Sequence, residues 1–188
     1  LLFMMDALRP DRLSPWGHDA VAVGPPHPTP NFARLAETGV FFRNCFSHMP
    51  SSHPSRASIL TGRDPHTHGV RINSRPLSAS ETTLTQILRN AGYLTATTRT
   101  FPPGMGRGFE ERGLVSKVLS PFDAGPWDVV KELPQMAEDE AGTDVAQDTT
   151  ALIRWLQRYV ADPERRRHPF FLWADCEDTH EPWRPPVP

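Results

Sequence analysis

The chain has 188 residues, of which 38% are hydrophobic and 22% are charged, and its formal net charge at pH 7 is −2. This composition is typical of one globular domain with a hydrophobic core, and it lacks the basic excess of nucleic-acid-binding proteins. The two cysteines, Cys45 and Cys176, are too few for a disulfide framework or a cysteine zinc site, and no apolar run approaches the roughly 18 residues of a membrane helix.

The first predicted element is a strand formed by the apolar run LLFMM at residues 1–5, which ends at Asp6. A continuous apolar run of this length is typical of a parallel strand that is buried on both faces. The spacing of apolar residues then predicts a short helix from Thr29 to Gly39, with proline in its first turn. The β-forming segment VFFRNCFSH predicts a strand over 40–48.

Two helices and one strand are predicted in the next part of the chain. A loop over 49–53 leads into a helix over 54–61, which Gly62 ends. The apolar face of TTLTQILRN predicts a helix over 82–90, and YLTATT at 93–98 has the composition of a strand.

The last part of the sequence contains an irregular segment, a long helix and a final strand. Glycine and proline without periodicity predict irregular structure over 102–134, whereas the periodic segment 145–160 predicts a helix. The charged turn ERRRH at 164–168 precedes PFFLWAD at 169–175, another apolar strand that ends in a carboxylate. Alternating strands and helices predict a doubly wound α/β domain, in which ligands bind beyond the carboxyl ends of the strands. The residues expected at that edge are Asp6, Ser52, Asp175 and His180.

The segment MPSSHPSRASILTG at 49–62 places Ser52 at or just before a helix N-terminus, because Pro54 is suited to a first helical turn. Backbone N–H groups and the helix dipole favour an anion at such a terminus, and Arg56 lies one turn later, where its guanidinium can add donors. The alternative is that Ser51 or Ser52 is an ordinary N-cap and that Arg56 lies on the surface.

Two interpretations of Asp6 also stay open. The carboxylate is satisfied by loop N–H groups or by Arg9, or it holds a hard divalent cation at the strand end. Of the eight histidines, the three that lie beside motif-like segments are His66, His68 and His180.

Taken together, these stretches resemble the sulfatase signature of the alkaline-phosphatase-like superfamily. That signature is Cys or Ser, any residue, Pro, a small residue, Arg, an apolar pair and Thr-Gly. It is matched by Ser52, Pro54, Ser55, Arg56, Ile59, Leu60, Thr61 and Gly62. His53 departs from the small residue that is usual after the nucleophile. Further segments resemble other parts of the family in order, namely 6–17, 29–44, 68–70, 92–93 and 169–186.

The resemblance implies an α/β alkaline-phosphatase-like sandwich, with a mostly parallel central sheet and helices on both faces, incomplete in this fragment. Residues 1–188 would then be the amino-terminal part of one sulfatase catalytic domain. It also implies hydrolysis of a small-molecule or carbohydrate sulfate ester. A formylglycine-generating maturation enzyme would oxidise Ser52 to Cα-formylglycine, whose hydrated aldehyde attacks sulfur, and a calcium ion or another divalent cation would polarise the sulfate.

The resemblance assigns roles to individual residues. Asp6 and residue 52 would be metal ligands, and Arg56 would steady the formylglycine. His180 would donate to a sulfate oxygen or to the leaving group. His68 and Arg99 would bind the substrate, with Arg99 in place of a lysine that the family usually carries.

Three departures from the family pattern shape these expectations. Ala7 stands where a second acidic ligand is common, and TTRTF at 97–101 replaces a Gly-Lys-x-His segment. The family's later half has no counterpart before Pro188, and the chain opens with Leu1 rather than methionine, so we expect a truncated fragment that is inactive alone and whose compartment is unknown. Two alternatives remain, a phosphonate or phosphate ester hydrolase on the same scaffold and a catalytically inactive anion-binding homologue.

Overall fold

The computed structural model describes residues 1–16, 29–115 and 143–176. The chain divides into two compact units. The main unit consists of Leu1–Asp6 together with His48–Pro188, and the small unit consists of Ala7–Ser47. No described helix combines the length and the apolar character of a membrane span.

A three-stranded parallel sheet forms the centre of the described main unit. Its strands are β1 (Leu2–Met5), β2 (Leu94–Thr97) and β3 (Phe170–Cys176), in the order β1-β3-β2. In the register, Met4 lies opposite Asp175, and Leu94 lies opposite Phe170. All three strands were predicted from their apolar or β-branched runs, and their carboxyl ends meet at one edge because they are parallel.

Five α-helices are present in the described ranges. They are α1 (Pro30–Thr38), α2 (Ser52–Thr61), α3 (Pro65–His68), α4 (Leu84–Asn90) and α5 (Asp144–Ala161). Four of them lie close to the predicted bounds, and α3 was not predicted. Helix α2 ends at Gly62, which adopts a left-handed conformation with φ of 65°. Helix α4 begins with a capping box in which the Thr83 side chain and the Gln86 side chain each bond the other residue's backbone.

Side chains alternate across β3, so its two faces pack on different helices. Trp173 faces a core that includes Ala57 and Leu60 of α2. Leu172 faces the opposite core with Trp155 of α5. Helices therefore cover both faces of the sheet, as the α/β prediction requires.

The predicted strand over 40–48 is wrong. The structure assigns no strand to these residues, and Val40, Phe42 and Phe46 are exposed. Strand propensity reflects how well a side chain fits a pleated, half-buried surface. No described strand of the sheet pairs with this segment, so its β-forming residues have no such surface to join.

The predicted irregular segment 102–134 is confirmed where it is described. Residues 102–115 contain turns and one isolated bridge from Glu111 to Ala96, and the remainder lies outside the described residues. Buried hydroxyl groups hold this segment in place, since Thr85 Oγ1 donates to the Arg107 carbonyl at 2.8 Å. A Cβ on Gly108 would approach the Gln86 nitrogen to 2.4 Å, which explains glycine at this position.

Candidate active site

Ser52 and Asp6 meet at the carboxyl edge of the sheet. Asp6 directly follows β1, and its N–H donates to the Cys176 carbonyl at 2.9 Å, which continues the sheet ladder by one residue. Ser52 is the first residue of α2, and its Oγ donates to Asp6 Oδ2 at 2.7 Å. Ser51 holds the N-cap position without a side-chain cap bond. The serine hydroxyl therefore contacts a carboxylate 46 residues away in the chain rather than the start of its own helix.

Arg56 is buried beneath this contact, so the alternative of a surface arginine is wrong. Only 6% of its side chain is exposed. Its Nη2 donates to Asp6 Oδ2 at 3.1 Å and to Asp175 Oδ1 at 3.0 Å, while its Nε lies 2.7 Å from Asp175 Oδ2. The planar guanidinium thus links the ends of β1 and β3 to helix α2.

The charges of the three side chains Asp6, Arg56 and Asp175 do not balance among themselves. One guanidinium faces two carboxylates, so the group formed by Asp6, Arg56 and Asp175 carries an excess negative charge when both carboxylates are ionised. Asp6 is the more exposed of the two, with 13% of its side chain accessible against 3% for Asp175. The excess charge is therefore closest to solvent at Asp6, beside the Ser52 hydroxyl.

Arg99 extends the same network on the inner side of Asp175. Its Nε donates to the Asp175 carbonyl at 2.8 Å, and its Nη2 lies 3.4 Å from Oδ2 of Asp148, a buried residue of α5. The Asp175 N–H donates to Thr98 Oγ1 at 3.1 Å. These contacts fix the backbone that carries the Asp175 carboxylate. Substrate binding by Arg99 stays a prediction.

His68 packs α3 against the middle of α2. Its ring is buried, with Nε2 3.0 Å from Ser58 Oγ, and the Val70 N–H donates to Nδ1 at 3.1 Å. Because Nδ1 accepts a hydrogen bond, the network assigns the ring proton to Nε2. Burial also lowers the pKa of His68 below its ordinary value. Its predicted contact with substrate stays a prediction.

The N-terminus of α2 has fewer unused backbone donors than its sequence suggested. The His53 N–H donates to Asn73 Oδ1 at 3.1 Å, and the Ser55 N–H donates to the Ser51 carbonyl at 3.1 Å. Pro54 has no N–H at all. The helix dipole still favours negative charge at this end, but the first turn offers an anion few backbone hydrogen bonds.

The residues at this edge fit part of a site for a hard cation. Carboxylate and hydroxyl oxygens are the ligands that calcium prefers, and Asp6 Oδ2 and Ser52 Oγ lie 2.7 Å apart. Within residues 1–16, 29–115 and 143–176, no group of three or more histidine, cysteine or acidic side chains is arranged to hold a metal ion. Calcium takes six to eight oxygen ligands. These two residues would therefore supply a minority of a complete shell.

His180, predicted to act on the sulfate or the leaving group, lies outside the described residues. Sequence reasoning found Ser52, Asp6 and Arg56, and it placed Asp175 at the correct edge without a role. It missed Asp148 and Asn73. The available signal for Asp148 was an acidic residue within the periodic helix 145–160, whereas nothing local marked Asn73.

Removal of the shared guanidinium should destabilise the fold strongly. Arg56→Ala leaves two carboxylates buried without their cation, and we expect the free energy of unfolding to fall by about 3–5 kcal/mol. The matched control is Arg63→Ala, because Arg63 is 54% exposed and pairs with Glu81 at 3.1 Å. We expect it to cost less than about 1 kcal/mol. Urea unfolding measures both, and equal losses would contradict a buried network.

The lowered pKa of His68 predicts a pH dependence of stability. The unfolded chain binds a proton at this ring more readily than the folded chain does. Stability from this group is therefore complete above the unfolded pKa of about 6.5 and is lost as the pH falls below it. Between pH 7.5 and 5.5, we expect wild type to lose up to about 1 kcal/mol more than His68→Gln does.

The control for this comparison is His66→Gln, since His66 is exposed on the same short helix. It should keep the wild-type pH dependence. If His68→Gln instead loses stability as steeply as wild type on acidification, the buried neutral ring is not the cause.

Comparison with known proteins shows the family and the fold of the chain. The sulfatase family model matches residues 1–187. The chain is 28% identical to N-acetylglucosamine-6-O-sulfatase from Bacteroides thetaiotaomicron, over 84% of this chain and 27% of that protein. It is 28% identical to human N-acetylgalactosamine-6-sulfatase, over 97% of this chain and 39% of that protein. The chain thus spans between about a quarter and two-fifths of the length of these relatives.

Solved structures share the fold. Phosphonate monoester hydrolase of Agrobacterium radiobacter superposes with a TM-score of 0.69 at 24% identity, over 100% of this chain and 42% of that chain. A structure solved in complex with its substrate D-glucosamine-2-N,6-O-disulfate gives a TM-score of 0.67 at 22% identity, over 98% of this chain and 35% of that chain. The family match covers almost every residue, and the fold is that of the alkaline-phosphatase-like hydrolases. The chain belongs to the sulfatase family.

Proposed function

We propose that the protein hydrolyses a sulfate ester and that residue 52, matured from serine to formylglycine, is its nucleophile. The observation that carries this proposal is the 2.7 Å contact between Ser52 Oγ and Asp6 Oδ2 above the buried Arg56. An unmodified serine hydroxyl is weak at its ordinary pKa and needs an adjacent base or other activation. The hydrated aldehyde supplies a nucleophilic oxygen, and a divalent cation beside it supplies positive charge for the sulfate oxygens.

The chain's own residues orient that oxygen. Asp6 accepts a hydrogen bond from the Ser52 hydroxyl, and the same carboxylate would orient the hydrated aldehyde of the matured residue. Arg56 Nη2 also donates to Asp6 Oδ2 and so limits the positions that the carboxylate can take. Asp6 and residue 52 would hold the cation, and the excess negative charge of the group favours a cation at that place.

The substrate is best assigned as a sulfated carbohydrate. Curated relatives are sulfatases of N-acetylglucosamine and N-acetylgalactosamine, and one structural neighbour was solved with a disulfated glucosamine. Within this proposal His180 donates to a sulfate oxygen or the leaving group, and His68 and Arg99 contribute to substrate binding. A formylglycine-generating enzyme is the partner that the chain requires for maturation.

Phosphonate or phosphate ester hydrolysis is the second candidate, favoured by the fold shared with a phosphonate monoester hydrolase. A phosphate monoester carries more negative charge than a sulfate monoester and needs a more cationic site. A phosphonate monoester carries one negative charge, like a sulfate monoester. Sulfate, phosphonate and phosphate esters compared as substrates of the matured full-length protein therefore separate the two candidates.

Conversion of Ser52 is the first test of the proposal. The full-length protein, co-expressed with a serine-type maturation enzyme, should yield a tryptic peptide in which residue 52 has lost about two hydrogen atoms and reacts with a carbonyl reagent. Mass spectrometry of that peptide measures the change. Ser52→Ala, and wild type expressed without the maturation enzyme, are the controls. An unmodified serine in the co-expressed protein would support the inactive homologue or an unmodified phosphoesterase instead.

Calcium binding should depend on Asp6. At a calcium concentration about 100 times Kd, a cation bound only to the folded protein adds about 2.7 kcal/mol to the free energy of unfolding. Asp6→Asn keeps the size of the side chain and removes its charge, so we expect the calcium-dependent rise in Tm to disappear.

The control for the calcium experiment is Asp11→Asn, because Asp11 is exposed and pairs with Arg9 at 2.6 Å within the small unit. It should respond to calcium like wild type. A full calcium response in Asp6→Asn would place the cation elsewhere.

A further inference from the structure

His53, the residue that departs from the family pattern, joins the start of α2 to a turn at residues 71–75. Its backbone N–H donates to Asn73 Oδ1 at 3.1 Å, and its ring Nδ1 accepts from the Ser74 N–H at 2.8 Å. The two bonds connect residues 20 and 21 positions apart. A small side chain at position 53 would keep the first bond and lose the second.

The turn has a conformation that benefits from such an anchor. Ser74 has a φ of 66°, in the left-handed region that non-glycine residues seldom adopt. Its Oγ bonds the Asn73 carbonyl, so the strained residue is held by its own side chain and by His53. These two contacts hold the backbone of the turn in place relative to His53, the residue that follows Ser52.

The turn carries two cations. Arg71 and Arg75 are its first and last residues, and both are exposed. Within the part of the chain that the structure describes, neither has an ion pair, whereas several other arginines pair with carboxylates, among them Arg63, Arg89, Arg158 and Arg167. Ile72, between them and the anchor, is 65% exposed. The turn, bonded to the residue that follows Ser52, therefore presents two guanidinium groups and one apolar side chain to solvent.

We propose that residues 71–75, the arginine turn, bind a second anionic group of the substrate and that His53 is the residue that positions this turn. The inference rests on the proposed sulfate ester hydrolysis and adds a substrate class, namely a saccharide that carries a second sulfate or a carboxylate besides the ester that is cleaved. The guanidinium fork matches the oxygens of such a group. Arg56 and Arg99 of the buried network already contact carboxylates, so the arginine turn supplies the charge for this second group.

The test compares two probes on the full-length, matured protein. Binding and sulfate release are measured for N-acetylglucosamine 6-sulfate and for D-glucosamine-2-N,6-O-disulfate. We expect wild type to bind the disulfate at least about fivefold more tightly, and Arg71→Gln and Arg75→Gln each to reduce that preference by about two- to tenfold. The charge-matched control is Arg166→Gln, an exposed arginine near the start of β3, which should leave the preference unchanged.

A second pair of variants tests the positioning residue. In His53→Asn the amide oxygen can still accept from the Ser74 N–H, so the preference should persist, whereas His53→Ala should lose it. A merely structural role of His53 would lower stability without changing the ratio between the probes. An unchanged ratio in the two arginine variants, or no preference in wild type, overturns the proposal. Preferential binding without sulfate release would instead count against the hydrolase activity, and the two failures are thus separate.

Discussion

The arrangement of the candidate site depends on one buried guanidinium group, that of Arg56. Arg56 donates to the carboxylates at the ends of two adjacent parallel strands, and it lies one turn into the helix that begins with Ser52. A buried charge is costly unless it is paired. The guanidinium of α2 and the carboxylates at the ends of β1 and β3 are therefore paired only when all three elements are in place. The position of Ser52 follows from that requirement.

The parallel sheet brings the two carboxylates close to Arg56. Parallel strands bring Asp6 and Asp175 to one edge without any loop having to cross the sheet. Trp173 packs on one face of β3 and Leu172 on the other. The strand that carries the Asp175 carboxylate is therefore held by the core on both faces. Thr98 and Arg99 fix the adjoining backbone. Reactive groups thus lie on rigid elements, as a preorganised site requires.

Negative and positive charges occupy different places around Ser52. Beneath Ser52, the carboxylates of Asp6 and Asp175 share the Arg56 guanidinium, and this excess of negative charge suits a bound cation. Beside it, the exposed Arg71 and Arg75 have no carboxylate partner in the described ranges. Under the two proposals, the negative inner group would hold the cation and the positive outer turn would bind the second anionic group of the substrate.

Much of the fold was predictable because the relevant signals are local. Apolar runs marked β1 and β3, proline and glycine marked the ends of α2, and the signature segment marked Ser52 and Arg56. The error at 40–48 has the same origin, because local propensity cannot show whether a neighbouring strand exists. The contacts that define the site join residues far apart in the sequence, such as Arg56 with Asp175 and His53 with Ser74. The periodicity of side chains along the sequence does not predict such contacts.

The most direct test of the account is the rate of sulfate release by Arg56→Lys relative to wild type, both full-length and with equal formylglycine content at residue 52. Lysine keeps the positive charge but loses the planar fork that holds both carboxylates. Because a displacement of about 1 Å can cost about 100-fold in rate, we expect kcat/KM to fall by about that factor while conversion of residue 52 persists. A wild-type rate in Arg56→Lys would show that the shared guanidinium does not position the nucleophile.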